Sequence, residues 1–206
     1  MDGLVEERVE IGQWQLVLLR PADPAGLVDE DEFGADEFLP YWAELWPSGL
    51  ALARHVGGLD LAGKTVLELG CGLGLPSLAA GLGGASVLAT DWSPDALALL
   101  ERNARANGAP VATQLVRWDR SDALAGRTFD FVLAADVLYE ERNARPVLDV
   151  LQRVVAPGGE ALVADPGRRH AAGFLAAAAA RWQVDSLPEP LLPNGAVHRL
   201  CRSEPV

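Results

Sequence analysis

The sequence predicts an α/β fold in which a mostly parallel sheet is covered by helices on both faces, and three observations support it. Short, apolar, β-branched runs alternate with helical segments from Lys64 onward, as is typical of strands joined by crossover helices. A glycine-rich turn follows the first of these runs, at residues 70–74. Only a segment with Pro and Gly, residues 188–195, separates the last two runs, so we expect them to pair as an antiparallel hairpin.

The predicted elements can be placed in chain order. Residues 8–20 alternate in strand fashion around Gly12, whereas residues 21–37 contain two prolines and seven acids and are expected to form a loop. Pro47 suits a first helical turn and opens a helix that runs to about residue 56. Strands are then predicted at residues 65–69, 86–90, 111–116, 129–134, 160–164, 183–187 and 196–202. Helices are predicted at residues 75–82, 94–107, 143–155 and 168–181.

Composition excludes several classes of protein. At 206 residues and 50% hydrophobic content, the chain can bury a large core as one domain without disulfides or a structural metal. Its two cysteines and three histidines supply neither a disulfide framework nor a four-ligand zinc site, so we expect no metal and a reducing, cytoplasmic location. No apolar stretch approaches about 20 residues and the first residues are acidic, so neither a membrane span nor a secretion signal is expected.

The net charge of −12 is concentrated near the N-terminus. Residues 1–44 hold twelve acidic and two basic residues, so we treat residues 1–45 as an acidic extension with a hairpin and a loop, ahead of a main domain at residues 46–206. This extension would repel a phosphate backbone, which disfavours a nucleic acid partner. Two interpretations stay open: the extension steers a basic protein surface toward the site, or it is a solvated loop.

The strongest functional signal is the turn Glu-Leu-Gly-Cys-Gly-Leu-Gly at residues 68–74. Glycines at the end of a strand let the backbone approach a ligand closely, and the following helix points its N-terminal amides at that ligand. A dinucleotide fingerprint would place its third glycine one residue beyond Gly74, and Glu68 is unfavourable for phosphate but suits a cationic amino acid ligand. A nicotinamide-type cofactor, or a tight turn that binds nothing, remains an alternative.

Polar and aromatic side chains also follow the second and fourth predicted strands of this region. Asp91 can accept hydrogen bonds from both hydroxyls of a ribose, and Trp92 can cover an adenine face. The alternatives are a helix cap for Asp91, although Ser93 directly precedes a proline and caps better, and simple packing for Trp92. Asp136 and Tyr139 follow the fourth strand, where ligands of open parallel sheets bind; a cap and a half-buried filler are their alternatives.

The glycine turn resembles motif I of the seven-strand S-adenosylmethionine-dependent methyltransferases. Three further strings, at residues 40–49 (PYWAELWPSG), 136–139 (DVLY) and 165–168 (DPGR), are similar to a methyltransferase family that contains many protein lysine methyltransferases. Within that family, the likeness is to the branch that methylates the β subunit of electron transfer flavoprotein. The resemblance extends from about residue 38 to the C-terminus, and residues 1–37 match only loosely.

The resemblance implies a Rossmann-like class I methyltransferase fold with a seven-stranded sheet, and S-adenosyl-L-methionine as the cofactor, with S-adenosyl-L-homocysteine as its product. The residues expected at the cofactor are Trp46, Glu68, Gly70, Cys71, Gly72, Gly74, Asp91, Trp92, Trp118 and Ala135. Trp46 and Trp118 would line the pocket, Ala135 would contact the cofactor through its backbone, and Asp119 is a second candidate for the adenine amino group. Asp136 and Tyr139 are the expected catalytic residues beside a methyl-accepting lysine.

The activity implied by the resemblance is N-methylation of lysine on a protein partner with an accessible lysine. Asp136 would recruit and orient the amine, and the proton would leave to water. A small-molecule N-methyltransferase acting on a nicotinamide-like amine and a cofactor-binding interaction module without turnover stay open. Nucleic acid methylation is disfavoured, because neither N-P-P-Y nor D-P-P-Y follows the fourth strand.

Overall fold

The computed structural model describes residues 3–24, 26 and 40–202 of the chain. The predicted loop at residues 21–37 lies largely outside these ranges. The strands are β1 (Leu4–Ile11), β2 (Trp14–Pro21), β3 (Thr65–Leu69), β4 (Ser86–Asp91), β5 (Val111–Leu115), β6 (Phe129–Ala135), β7 (Val155–Asp165), β8 (Gln183–Leu187) and β9 (Ala196–Cys201). The helices are α1 (Pro47–Val56), α2 (Leu75–Leu82), α3 (Pro94–Asn107), α4 (Glu141–Val154) and α5 (Ala171–Ala179).

Strands β3 to β9 form one sheet with the order β5-β4-β3-β6-β7-β9-β8. The pairs among β3 to β7 are parallel, and β9 pairs antiparallel with both β7 and β8. The direction in which the chain adds strands reverses between β3 and β6, and such a switch opens a crevice at the carboxyl ends of the strands. The predicted fold class is confirmed, including the antiparallel C-terminal hairpin.

Helices cover both faces of the sheet, as neighbouring residues of β3 show. Val66 packs into a core shared with α1, α2 and α3, whereas Leu67 and Leu69 pack into a second core shared with α4 and α5. Alternate side chains of a strand point to opposite faces, so one short apolar run supplies both cores. None of the helices in the described ranges combines the length and the hydrophobicity that crossing a bilayer requires.

Strand β1 begins at Leu4 instead of residue 8, and two further predicted boundaries were also wrong by several residues. Strand β7 begins at Val155, because Val155 already pairs with Phe129 before the register shifts and pairing resumes at Phe131. Helix α5 begins at Ala171 instead of residue 168, because the amides just before it bond to the Asp165 side chain and form a turn. In both cases a local irregularity displaces the end of the element.

Two asparagine side chains of α3 bond the β1–β2 hairpin. Each one bonds both the backbone N–H and the backbone C=O of one β2 residue, as the backbone of a neighbouring strand would. Asn107 accepts a hydrogen bond from Val17 N at 2.8 Å and donates one to Val17 O at 2.7 Å. Asn103 makes the same pair with Leu19, at 2.8 and 3.1 Å, and also donates to Leu73 O of the glycine turn at 3.3 Å. The hairpin is therefore connected both to α3 and to the turn.

Candidate functional site

A pocket of about 360 Å³ opens at the carboxyl ends of β3, β4 and β6, where the strand order reverses. Twelve of the thirteen candidate residues from the sequence contribute to its lining, and Asp119 does not. The twelve are Trp46, Glu68, Gly70, Cys71, Gly72, Gly74, Asp91, Trp92, Trp118, Ala135, Asp136 and Tyr139. The structure thus brings the candidates together, while the role of each stays a prediction.

The glycine turn passes so close to two tryptophans that a Cβ at Gly70 or Gly72 would crowd them. Gly70 has φ +67°, and a Cβ there would lie 2.8 Å from Cζ2 of Trp118. Gly72 has φ +49°, and a Cβ there would lie 3.1 Å from the carbonyl oxygen of Trp42. Between them, Cys71 N donates to Thr90 O at 2.9 Å and ties the turn to β4. The turn presents backbone to the pocket because glycine leaves that space open.

Glu68, at the end of β3, holds the start of α2. Its Oε2 accepts hydrogen bonds from the backbone N of Ser77, at 3.0 Å, and from the Ser77 hydroxyl. The side chain is fully buried, and burial raises its pKa from 4.5 to about 8 despite these bonds. Glu68 is therefore mainly a neutral acid at pH 7.

Asp91, at the end of β4, accepts a hydrogen bond from backbone amides on either side of the pocket. Oδ2 takes Gly72 N at 3.0 Å and Oδ1 takes Ser93 N at 2.9 Å. The Ser93 hydroxyl accepts Ala96 N at 3.3 Å, so Ser93 is the cap of α3, as expected. Burial raises the pKa of Asp91, and these amide bonds oppose that rise. A carboxylate has about four acceptor sites, so Asp91 can still receive hydroxyl donors from a ligand.

The structure distinguishes between the two candidates for the adenine end. Trp118 is half-buried, lines the pocket and lies against Gly70. Asp119 is exposed and pairs with Arg117, Nε to Oδ1 at 3.2 Å, and it is not among the lining residues. Trp118 therefore lies in the pocket and Asp119 outside the lining, while a role for Trp118 at an adenine stays a prediction.

Asp136 is buried and forms a two-pronged ion pair with Arg168. Arg168 Nε lies 2.9 Å from Oδ1, and Nη2 lies 3.2 Å from Oδ2. Asp136 has φ 55°, the only positive φ at a non-glycine residue among those described. The guanidinium also lies 5.9 Å from the ring centroid of Trp46, in cation–π contact. Arg168 lines the pocket, yet the sequence prediction quoted it only within the Asp-Pro-Gly-Arg string and gave it no role.

The turn after β7 fixes the position of Arg168. Oδ1 of Asp165 accepts hydrogen bonds from Gly167 N at 2.8 Å and Arg168 N at 2.7 Å. Gly167 has φ +96°, and a Cβ there would lie 2.3 Å from Asn194 O. The β8–β9 connection thus packs tightly on this turn, which only glycine permits.

Three aromatic rings form the wall beside Asp136. Tyr41 lies 5.5 Å from Tyr139 and 6.2 Å from Trp46, measured between ring centroids, and Trp46 Nε1 donates to Tyr41 O at 2.8 Å. Burial is the main cause that raises the pKa of Tyr139, so its hydroxyl stays protonated at neutral pH. Tyr41 is a second residue without a predicted role, although it stands in the string at residues 40–49.

The charge of the pocket suits a cationic ligand. Among the described residues that line it, five carry carboxyl groups and one carries a guanidinium: Glu44, Glu68, Asp91, Asp136, Glu140 and Arg168. No group of three His, Cys, Asp or Glu side chains in the described ranges is arranged to hold a metal ion. With the glycine turn, this lining is compatible with a ligand that carries both an ammonium and a sulfonium.

Taken together, the sheet order, the glycine turn at its switch point and the acid that ends β4 define the fold of S-adenosylmethionine-dependent methyltransferases. The chain belongs to the lysine methyltransferase family, whose sequence profile matches residues 42–178. It is 35% identical over 164 residues to the electron transfer flavoprotein beta subunit lysine methyltransferase of Rattus norvegicus, an alignment that covers 75% of this chain and 60% of that protein. For such relatives the chain spans between about half and three fifths of their length.

Two solved structures illustrate the shared fold. A ribosomal protein L11 methylase from Lactobacillus delbrueckii subsp. bulgaricus has a TM-score of 0.58 and 25% identity, covering 74% of this chain and 78% of that one. The 16S rRNA N2 G1207 methyltransferase of T. thermophilus, in complex with AdoMet and guanosine, has a TM-score of 0.68 and 17% identity, covering 100% of this chain and 52% of that one. The second likeness concerns the fold alone.

Proposed function

We propose that this chain is an S-adenosylmethionine-dependent N-methyltransferase that methylates lysine side chains of a protein. The observation that carries the proposal is one acidic, aromatic pocket that joins the glycine turn to Asp136 and Tyr139, in a member of the lysine methyltransferase family. Small-molecule amines are the alternative substrate class, and the experiment below separates the two.

The residues of the pocket fit the proposed cofactor. The backbone of the glycine turn would hold the methionine part, and the acidic lining would favour its positive charges. Asp91 would accept the ribose hydroxyls, with Trp92 and Trp118 beside the adenine. When bound, the cofactor supplies a methyl group on a sulfonium sulfur, and transfer to nitrogen forms the N–C bond as the C–S bonding pair returns to sulfur.

The aromatic wall and Asp136 would hold the acceptor amine. The rings of Tyr41, Trp46 and Tyr139 suit both the aliphatic stem and the cationic head of a lysine. Asp136 would orient the nitrogen, and the proton would pass to water before transfer. Deprotonating a free lysine, with a pKa of about 10.4, at neutral pH costs roughly 4 to 5 kcal/mol, so the site must lower that cost.

The proposal is tested by following a radiolabelled methyl group from S-adenosylmethionine into a cell lysate. Label in protein supports a lysine methyltransferase, and label only in small metabolites favours the alternative. Asp136→Asn keeps a residue that tolerates positive φ and should lower transfer by about a hundredfold or more, with S-adenosylhomocysteine binding intact by calorimetry. The exposed carboxylate Asp119, replaced by asparagine, is the matched control. Loss of S-adenosylhomocysteine binding by Asp136→Asn would instead assign Asp136 to the cofactor.

Three further features belong to this proposal. A protein partner is expected to present its lysine on a basic surface, steered by the acidic extension at residues 1–45; a chain lacking residues 1–37 that reacts equally fast at low salt would exclude steering. Nucleic acid and membrane partners are not proposed.

A cytoplasmic location is supported by Cys71 and Cys201, which are both free thiols. The separation of the chain at residue 45 is likewise a proposal, and a fragment of residues 46–206 that folds on its own would support it.

A further inference from the structure

We propose that Arg168 is a positioning residue that balances the charge of Asp136, so that a lysine amine can bind beside Asp136 in its neutral form. This inference rests on the proposed function and deepens it. It addresses a conflict in the site, because a carboxylate next to an amine favours the ammonium, which cannot attack a methyl group.

The ion pair has the geometry that charge balance requires. Both oxygens of Asp136 accept from the guanidinium, at 2.9 and 3.2 Å, and the Asp136 side chain is only 7% exposed. In such a poorly solvated place, the nearby positive charge cancels most of the field that the carboxylate would exert on an incoming amine. The planar guanidinium of Arg168 occupies two of the roughly four acceptor sites of the Asp136 carboxylate. Asp136 can therefore still accept a hydrogen bond from an amine N–H.

Arg168 is held in place independently of any substrate. Asp165 bonds the backbone of Gly167 and Arg168, and the guanidinium lies over the ring of Trp46. The bond to Asp136 also raises the pKa of Arg168, which keeps its charge across any practical assay range. The arginine is therefore built into the site as a permanent cation.

The other charged groups described around the Asp136–Arg168 ion pair do not supply the positive charge that balances Asp136. Asp165 lies behind it, bonded to two amides and near His198, whose pKa burial lowers. Glu140 pairs with Arg142, Asp91 is bonded to loop amides, and Glu44 is exposed to solvent. Glu68 is neutral at pH 7, and Tyr41 and Tyr139 contribute phenols. Among the described lining residues, Arg168 is the sole guanidinium.

The test measures proton release when a lysine side-chain mimic binds. Full-length protein saturated with S-adenosylhomocysteine is titrated with n-butylamine by calorimetry at pH 7.5, in buffers of different ionisation enthalpy. The wild type should release close to one proton per amine bound, because it binds the neutral form. Arg168→Ala should release almost none, because the bound amine's pKa should rise by roughly two units or more, and its binding at this pH should be about tenfold tighter or more.

Two variants distinguish charge balance from a structural role. Arg168→Lys keeps the positive charge and should restore most of the proton release. Arg145→Ala removes an exposed arginine that pairs with Asp149 on α4, and it should match the wild type. Equal proton release by wild type and Arg168→Ala, or no butylamine binding by the wild type, overturns the inference. Failure of the wild type to bind S-adenosylhomocysteine would instead overturn the proposed function.

Discussion

Replacing Glu68 by glutamine should remove the part of the pH dependence of the free energy of unfolding that Glu68 contributes between pH 5 and pH 8. Burial raises the pKa of Glu68 to about 8 in the folded protein, compared with 4.5 for an ordinary glutamate. The folded state therefore keeps a proton that the unfolded state loses. The stabilisation is fully present below pH 4.5 and is lost as pH rises through about 8.

The magnitude follows from the two pKa values. A difference between 4.5 and about 8, at 1.36 kcal/mol per unit, corresponds to a total loss of roughly 5 kcal/mol, of which about 4 kcal/mol falls between pH 4.5 and pH 8. Glutamine reproduces the neutral acid, because its carbonyl oxygen can accept the hydrogen bonds from the Ser77 amide and hydroxyl. The variant should thus equal the wild type near pH 4.5 and exceed it by several kcal/mol at pH 8.

Urea unfolding at pH 5, 6, 7 and 8 would measure this difference. Glu101→Gln, which changes an exposed glutamate on α3, should follow the wild-type curve and serves as the control. Parallel pH dependence in the wild type and Glu68→Gln would refute the reasoning, because it would show that Glu68 is ionised in the folded state at neutral pH.

Three other substitutions test the packing around the pocket. Gly70→Ala places a Cβ 2.8 Å from Trp118 at φ +67° and should weaken S-adenosylhomocysteine binding at least tenfold by calorimetry, with a folded circular dichroism spectrum. Gly173→Ala, in α5 with no atom within 4 Å of the added carbon, should leave binding unchanged and raise stability by about 0.5 to 1 kcal/mol. Asn107→Ala leaves Val17 N and O without their side-chain partner and should cost about 1 to 3 kcal/mol in urea unfolding; a cost below the fitting error would contradict the strand-like role of the asparagine.

Most of the sheet could be predicted from sequence because its signals are local. The apolar run of β3 supplies Val66 to one core and Leu67 to the other, which is the pattern of a strand buried on both faces. The rule that ligands bind at the carboxyl ends of parallel strands then brought the candidate residues to one pocket. The start of β7 was missed because it depends on pairing with Phe129 across a shift in register.

Arg168 and the asparagines of α3 could not be predicted, because their roles arise from contacts between distant parts of the chain. Arg168 meets Asp136 across 32 residues, and Asn103 and Asn107 meet β2 across 84 and 90 residues. Each of these side chains has an ordinary local interpretation, as a turn residue or as the polar face of a helix. A polar residue in the turn that follows a strand, as Arg168 is in Asp-Pro-Gly-Arg three residues after β7 ends, is the local signal that would have suggested it.

Four neighbouring strands carry an acid at or just beyond their carboxyl ends, and the way each charge is handled explains the electrostatics of the pocket. Glu68, the second-last residue of β3, stays protonated at pH 7, and Asp91, the last residue of β4, is bonded to amides. Asp136, just after β6, is paired with Arg168, and Asp165 ends β7 with two amide bonds. Four ionised carboxylates this close, without such partners, would destabilise the fold through mutual repulsion and burial. Their different partners leave Asp91 as the buried lining carboxyl that is bonded to amides and, among the described residues, has no cation paired with it. The charge that attracts a cationic cofactor is therefore expected to lie on the β4 side, whereas the β6 side, beside the acceptor, is close to neutral.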